Sequence, residues 1–218
     1  MRKIKVSPSI FAANFLNIEK EIEKLERLKV DYIHYDIMDN HFVPNISFGP
    51  LITKQIANST SIPGDVHLMI DLSKERIQPF MEISNVEIIT LHIEAPGFSR
   101  DLLNFVKSGG KKVGISIKPK TEPEKIKEFL EDIDLVLVMT VEPGFSGQKI
   151  LPNSYSKVKE IKSILDDCNK NIYLEVDGGV NLENARLLID NGANLLVIGS
   201  FFFANDNAKK IVEYLCSL

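Results

Sequence analysis

Eight short runs of apolar and β-branched residues recur along the chain, at 4–10, 32–36, 64–70, 88–93, 112–117, 135–140, 172–176 and 195–199. Amphipathic stretches separate them, at 17–29, 74–84, 99–108, 122–131, 155–167, 182–191 and 207–215, with a weaker one at 51–57. In the first of these, Ile18, Ile22, Leu25 and Leu28 return at helical spacing between charged residues. Strands that alternate with helices are joined by crossovers and so pair in parallel. Eight such units in 218 residues predict an α/β protein built as one closed (β/α)₈ TIM barrel. An open doubly wound sheet is the competitor, but its G-x-G-x-x-G turn after the first strand is absent, since residues 7–15 read SPSIFAANF. No linker or solenoid-length repeat interrupts the pattern, so residues 1–218 are expected to form a single domain.

Charge narrows the partners. With 26 basic and 30 acidic residues, a net charge of −4 and no basic block, the chain is not expected to bind nucleic acid or an anionic membrane. Cys168 and Cys216 have no spaced partners, which fits a reducing, cytoplasmic setting. The first residues lack a signal-peptide pattern, and no apolar run approaches the roughly 20 residues that span a bilayer. A soluble chain is expected.

Four segments carry chemistry: HYDIMDN at 34–40, DVHLM at 65–69, EPGFSGQ at 142–148 and EVDGG at 175–179. His34 and Asp36 lie two apart on a strand and point to one face, which in a barrel is the interior. His67 and Asp177 occupy corresponding places on the third and seventh strands. Barrel catalysis is built at these C-terminal strand ends. Two imidazoles and two carboxylates there suit zinc, iron(II), manganese or cobalt, and the carboxylates can also move protons. Glycine-rich turns follow the last three strands, at Gly144–Gly147, Gly178–Gly179 and Gly199–Ser200. Barrels commonly hold phosphate in such loops, because glycine lets backbone N–H groups approach an anion. Met38, Met69 and Met139 also fall near strand ends, where thioethers can line a pocket. His92 and Glu94 share a strand face without a partner visible from spacing and are read as polar barrel-lining residues. His41 is read as incidental.

The chain resembles the ribulose-phosphate 3-epimerase family nearly end to end, through SPSIFAANF, HYDIMDNHFVPNISFGP, DVHLM, TLHIEA, VMTVEPGFSGQ, EVDGGV and VIGS. HYDIMDNHFVPN and VMTVEPGFSGQ are long, specific signatures. The resemblance implies a barrel of the ribulose-phosphate-binding type that interconverts D-ribulose 5-phosphate and D-xylulose 5-phosphate through a metal-stabilised enediolate. It makes His34, Asp36, His67 and Asp177 ligands of one divalent metal, zinc or iron(II) before manganese or cobalt. It makes Asp36 and Asp177 the acid/base pair, with Asp177 deprotonating D-ribulose 5-phosphate. Ser9 and His67 would contact the sugar. Gly144, Phe145, Ser146, Gly147, Asp177, Gly178, Gly179, Gly199 and Ser200 would line the substrate site, with the phosphate on the last two loops. Met38, Met69 and Met139 would cover the intermediate. A homo-oligomer is implied, without a stated size. Asn14, Ser146 and Phe201 depart from the family's common residues, and Phe201 bears on the shape of the phosphate end. D-allulose 6-phosphate is the alternative substrate, and a silent sugar-phosphate-binding protein a third reading. A barrel decarboxylase is disfavoured, because DVHLMIDL stands where its Asp-x-Lys-x-x-Asp pattern belongs.

Overall fold

The computed structural model describes residues 4–168 and 170–218. Eight strands alternate with helices: β1 Lys5–Pro8, β2 Ile33–Met38, β3 Gly64–Met69, β4 Val86–His92, β5 Lys112–Ile117, β6 Leu135–Met139, β7 Tyr173–Asp177 and β8 Leu195–Ile198. All ladders are parallel, and the order β1-β8-β7-β6-β5-β4-β3-β2 runs around a ring. The ring closes at the β1–β2 seam. There the strands share one bridge, Ser9 with His34. Below it, Val6 O accepts the N–H groups of Asp31 and Tyr32 at 3.0 and 3.3 Å, and the Asp31 carboxylate accepts the Val6 N–H at 3.1 Å. The expected TIM barrel is the observed fold.

The helices are α1 Ile18–Leu28, α2 Pro50–Asn58, α3 Lys74–Met81, α4 Arg100–Ser108, α5 Ser154–Asp166, α6 Ala185–Asp190, α7 Ser200–Phe203 and α8 Ala208–Ser217. Among the described residues none is long and apolar enough to cross a membrane. In α1 the expected ends, Asn17 and Lys29, are caps, and Lys29 takes the left-handed conformation at φ 53°. The helix expected over 122–131 is instead a 3₁₀ segment, Pro123–Phe129. Its buried residues, Pro123, Ile126 and Phe129, recur every third position, which is the repeat that a three-residue turn aligns on one face.

Alternation along each strand divides two cores. Tyr35 and Ile37 of β2 pack outward with the helices, while His34, Asp36 and Met38 face in. The outer layer is mostly aliphatic, with Tyr35, Phe80, Phe129 and Phe202 among it. The interior has a smaller apolar cluster, containing Tyr32, Ile88, Leu135, Leu137, Met139 and Leu195, beside a polar set. Ser7, His34, Asp65, His67, Thr90, His92, Ser116 and Glu175 are all fully buried. Leu137, fully buried in that apolar cluster, pairs in register with Glu175. Truncating it to Ala leaves a void that this tightly filled interior cannot collapse into, so Leu137→Ala is expected to lower stability by about 2–5 kcal/mol, read from urea unfolding midpoints.

Candidate functional site

The register of β2 and β3 sets Asp36 beside His67 and His34 beside Asp65. β7 brings Asp177 from across the mouth, paired with Met139 of β6. One nitrogen or oxygen from each of His34, Asp36, His67 and Asp177 lies within 4.8 Å of the others. Asp36 Oδ1 is 3.5 Å from His34 Nε2 and 3.3 Å from His67 Nδ1, and His67 Nδ1 is 3.9 Å from Asp177 Oδ2. His34 Nε2 is buried and makes no hydrogen bond, so the ring presents an unsatisfied nitrogen to this gap. Its other nitrogen, Nδ1, is held by Asp65 Oδ2 at 2.6 Å. The Ser9 hydroxyl donates to Asp36 Oδ2 in a short hydrogen bond.

Above these groups opens a cavity of about 750 Å³. Ser9, Asp36, Asp177, the three methionines Met38, Met69 and Met139, and the glycine-bearing turns 144–147, 178–179 and 199–200 all line it. His34 and His67 do not reach its wall and lie beneath at zero exposure. Phe145, 56% exposed, stands at the rim. Phe201 lines the cavity and also packs against the outer core.

Two comparisons agree on the family, and a third speaks to the fold. Residues 5–203 match the model of the ribulose-phosphate 3 epimerase family. The chain belongs to the ribulose-phosphate 3-epimerase family. It is 42% identical to the ribulose-phosphate 3-epimerase of Bacillus subtilis over 96% of this chain and 97% of that protein. It is 34% identical to that of Escherichia coli over 100% of this chain and 96% of that protein. Among solved structures it resembles a tryptophan synthase complex of Pyrococcus furiosus, with TM-score 0.69, 18% identity and 100% of both chains covered. It also resembles a thiamine phosphate pyrophosphorylase of the same organism, with TM-score 0.65, 13% identity and coverage of 99% and 95%. These last two likenesses speak to the barrel alone. The family makes this chain an epimerase, an isomerase of carbohydrate metabolism.

The epimerase site is electrostatically uneven. Burial alone would raise the Asp36 carboxyl, but the charge of the neighbouring His34 imidazole pulls it far below the usual carboxylate range. Asp177 goes the other way: burial and then the Asp36 charge push it up to about 6. Burial would drive the His34 imidazole down, yet Asp65 and Asp36 hold it well above its ordinary value. Glu175, fully buried beside Asp65, is raised well above the usual range by burial and then by the Asp65 charge.

Several residues in this frame escaped the sequence reading. Asp65 and Glu175 stand two before His67 and Asp177, so period-two alternation alone puts them on the same interior face. Thr140 ties the turn after β7: its hydroxyl lies 2.8 Å from Asp177 O and 2.5 Å from Gly178 O, sharing its one proton between them. Asn45 Nδ2 donates to Gly144 O at 2.7 Å and joins the loops after β2 and β6. Gly179 has φ 66°, and a Cβ there would sit 2.6 Å from Ile150 N and 2.8 Å from Gln148 O, so the loops after β6 and β7 meet through a residue without a side chain. Asn14 caps the 3₁₀ turn Phe15–Asn17, accepting the Leu16 N–H at 3.0 Å. His92 and Glu94, whose spacing shows no partner, have several: His92 Nε2 is 2.8 Å from His67 Nε2, His92 Nδ1 is 3.1 Å from Glu94 Oε2, and Glu94 also accepts from the Lys118 N–H and the Thr121 hydroxyl. Burial lowers His92 to about 4, and the His92 and Thr121 hydrogen bonds outweigh burial to bring Glu94 to about 2. His41 is exposed.

The raised carboxyl has a measurable cost. Between its ordinary 3.8 and about 6, the folded protein holds the Asp177 proton that the unfolded chain has lost, so stability falls as pH rises through that window. Asp177→Asn carries no charge to bury. In chelator-treated protein it is expected to match the parent at pH 4 and to exceed it at pH 7 by about 1–3 kcal/mol, read from urea unfolding at both pH values.

Proposed function

We propose that this epimerase interconverts D-ribulose 5-phosphate and D-xylulose 5-phosphate, a step of the pentose phosphate pathway. Residues 1–218 act as one catalytic domain in a cytoplasmic homo-oligomer. The observation that carries the reading is the pair Asp36 and Asp177. They are two carboxyls on strands facing each other across the mouth, with affinities for protons driven apart by their surroundings, as an acid/base pair requires.

His34, Asp36, His67 and Asp177 would hold one divalent cation, zinc or iron(II), with manganese and cobalt as alternatives. The fit rests on the buried His34 Nε2 without a hydrogen bond and on four donors gathered within 4.8 Å, an imidazole–carboxylate set these ions accept. When bound, such an ion supplies Lewis-acid stabilisation of the negative charge that develops on the ketose oxygens.

The chain's own residues do the rest. The C3 proton is acidified by the neighbouring C2 ketone, and its loss gives an enediolate. Inversion at C3 needs one group to remove the proton and another to return one from the opposite side. In the D-xylulose 5-phosphate direction ionised Asp36 takes the C3 proton and protonated Asp177 returns one from the opposite face, the pattern these proton affinities favour. In the D-ribulose 5-phosphate direction the roles exchange, Asp177 taking the proton and Asp36 delivering one. A carboxyl near 6 can both give and take a proton close to neutrality. The Ser9 hydroxyl, on the cavity wall, orients the sugar; His67, expected to contact it too, lies beneath the wall with both ring nitrogens already engaged. Met38, Met69 and Met139 form an apolar cover that keeps water from the intermediate. Backbone N–H groups of Gly178, Gly179, Gly199 and Ser200 hold the phosphate, and Gly144–Gly147 closes the side of the pocket. Remote phosphate binding of this kind fixes the reacting carbon in place.

The test is proton NMR of metal-loaded protein in D₂O with D-ribulose 5-phosphate, and D-allulose 6-phosphate in parallel. Loss of the C3–H signal with formation of xylulose 5-phosphate is expected. Exchange with the six-carbon sugar alone would replace the substrate, and exchange with neither would overturn the activity. Asp36→Asn and Asp177→Asn should each lower turnover by about 10²–10⁴-fold, and normal turnover in either removes its assigned role. Ser200→Asp, which sets a carboxylate against the phosphate, should raise KM about tenfold or more; an unchanged KM moves the phosphate elsewhere.

A further inference from the structure

Only one of the two His67 nitrogens faces the carboxylates. Nδ1 lies 3.3 Å from Asp36 and 3.9 Å from Asp177, while Nε2 lies 2.8 Å from His92 Nε2. Two imidazole nitrogens in contact need one donor and one acceptor. The next contact decides which. His92 Nδ1 is 3.1 Å from Glu94 Oε2, and a carboxylate only accepts, so the His92 proton sits on Nδ1. Its Nε2 is then the acceptor, His67 must donate from Nε2, and the His67 Nδ1 lone pair is left pointing at Asp36 and Asp177.

Glu94 is itself fixed. Its Oε1 accepts the Lys118 N–H at 2.7 Å and the Thr121 hydroxyl. That turn is pinned from outside the barrel by Lys157 of α5, which is 7% exposed. Its ammonium donates to the carbonyls of Lys118 at 2.7 Å, Pro119 at 3.1 Å and Thr121 at 2.5 Å. The hydrogen bonds therefore run without a gap from a helix on the outer layer to the interior imidazole.

We infer that His92 and Glu94, held by the 118–121 turn and Lys157, are positioning residues that fix the tautomer of His67 and so its capacity to ligate a divalent cation. The inference rests on the metal reading proposed above. Partners of this kind, behind a ligating imidazole, typically contribute 10–100-fold to metal affinity.

Glu94→Gln tests it, because the shape is kept while the acceptor-only end becomes an amide that can satisfy His92 or the turn but not both with the same polarity. The probe is cobalt(II), with affinity measured by competition against a chelating dye and the ligand set followed by the visible absorption of the bound ion. Glu94→Gln and His92→Phe are expected to bind cobalt about 10–100-fold more weakly with a shifted absorption band. His92→Gln, which restores a donor and an acceptor, recovers most of the loss. Thr121→Val, a milder change that removes one donor to Glu94, gives a smaller loss and serves if the interior variants fail to fold by circular dichroism. Wild-type affinity in Glu94→Gln and His92→Phe, or in Thr121→Val where those do not fold, overturns the inference and leaves the metal reading standing. Equal losses in His92→Gln and His92→Phe also overturn it, assigning the effect to ring shape. Wild-type protein that binds no cobalt overturns the metal reading and the inference together.

Discussion

The contact between Asp65 and His34, 2.6 Å long and sealed inside the barrel, is the constraint on which the rest of the structure depends. An ionised carboxylate taken out of water needs an opposite charge or several donors. Here it has His34 and, at 3.3 Å, the Ser7 hydroxyl. That pairing fixes the His34 ring so that Nε2 faces Asp36, and Asp36 in turn takes Ser9 and leans toward His67. Each interior polar group is thus oriented by the need of its neighbour. The outer aliphatic layer supplies the apolar burial that makes such an interior tolerable.

Two carboxyls of one chemical type have become different groups through position alone. Asp36 sits among imidazoles, and Asp177 sits beside Asp36 with less compensation. The same unevenness that costs stability as pH rises suits the proposed acid/base pair near neutrality, a trade of stability for chemistry common at active sites.

Much of this was legible in the sequence because strand alternation and strand ends are local properties. His34, Asp36, His67 and Asp177 could be placed together from three motifs, and the eight strands from their apolar runs, with ends shifted by a residue or two. The 3₁₀ segment was missed because a spacing of three, as in Ile126 and Phe129, mimics a helix over so short a stretch. The partners of His92 and Glu94 were missed for another reason. They come from β3 and from the turn after β5, and side chains that meet across strands leave no spacing signal in one sequence. Lys157 lies in the amphipathic stretch 155–167 with nothing in its spacing to mark it; only the three carbonyls converging on it reveal a buried cation. Asp65 and Glu175 were within reach, since they share the face of the residues two beyond them.

The β1–β2 seam has a consequence for how the chain is made. Ser9 meets His34 at the one bridge that closes the ring, and its own N–H is held by Ile198 O at 3.0 Å. A residue near the start of the chain is therefore set by one near its end. Until β8 is in place, Ser9 lacks the backbone anchor at Ile198 and keeps only its ties to His34 and Asp36, and the last side of the pocket is open. A nascent chain emerging from its N-terminus carries His34, Asp36 and His67 long before it carries Asp177 or β8. Closure of the barrel and completion of the pocket are one event, so a partly made chain holds the pieces of the site without its chemistry.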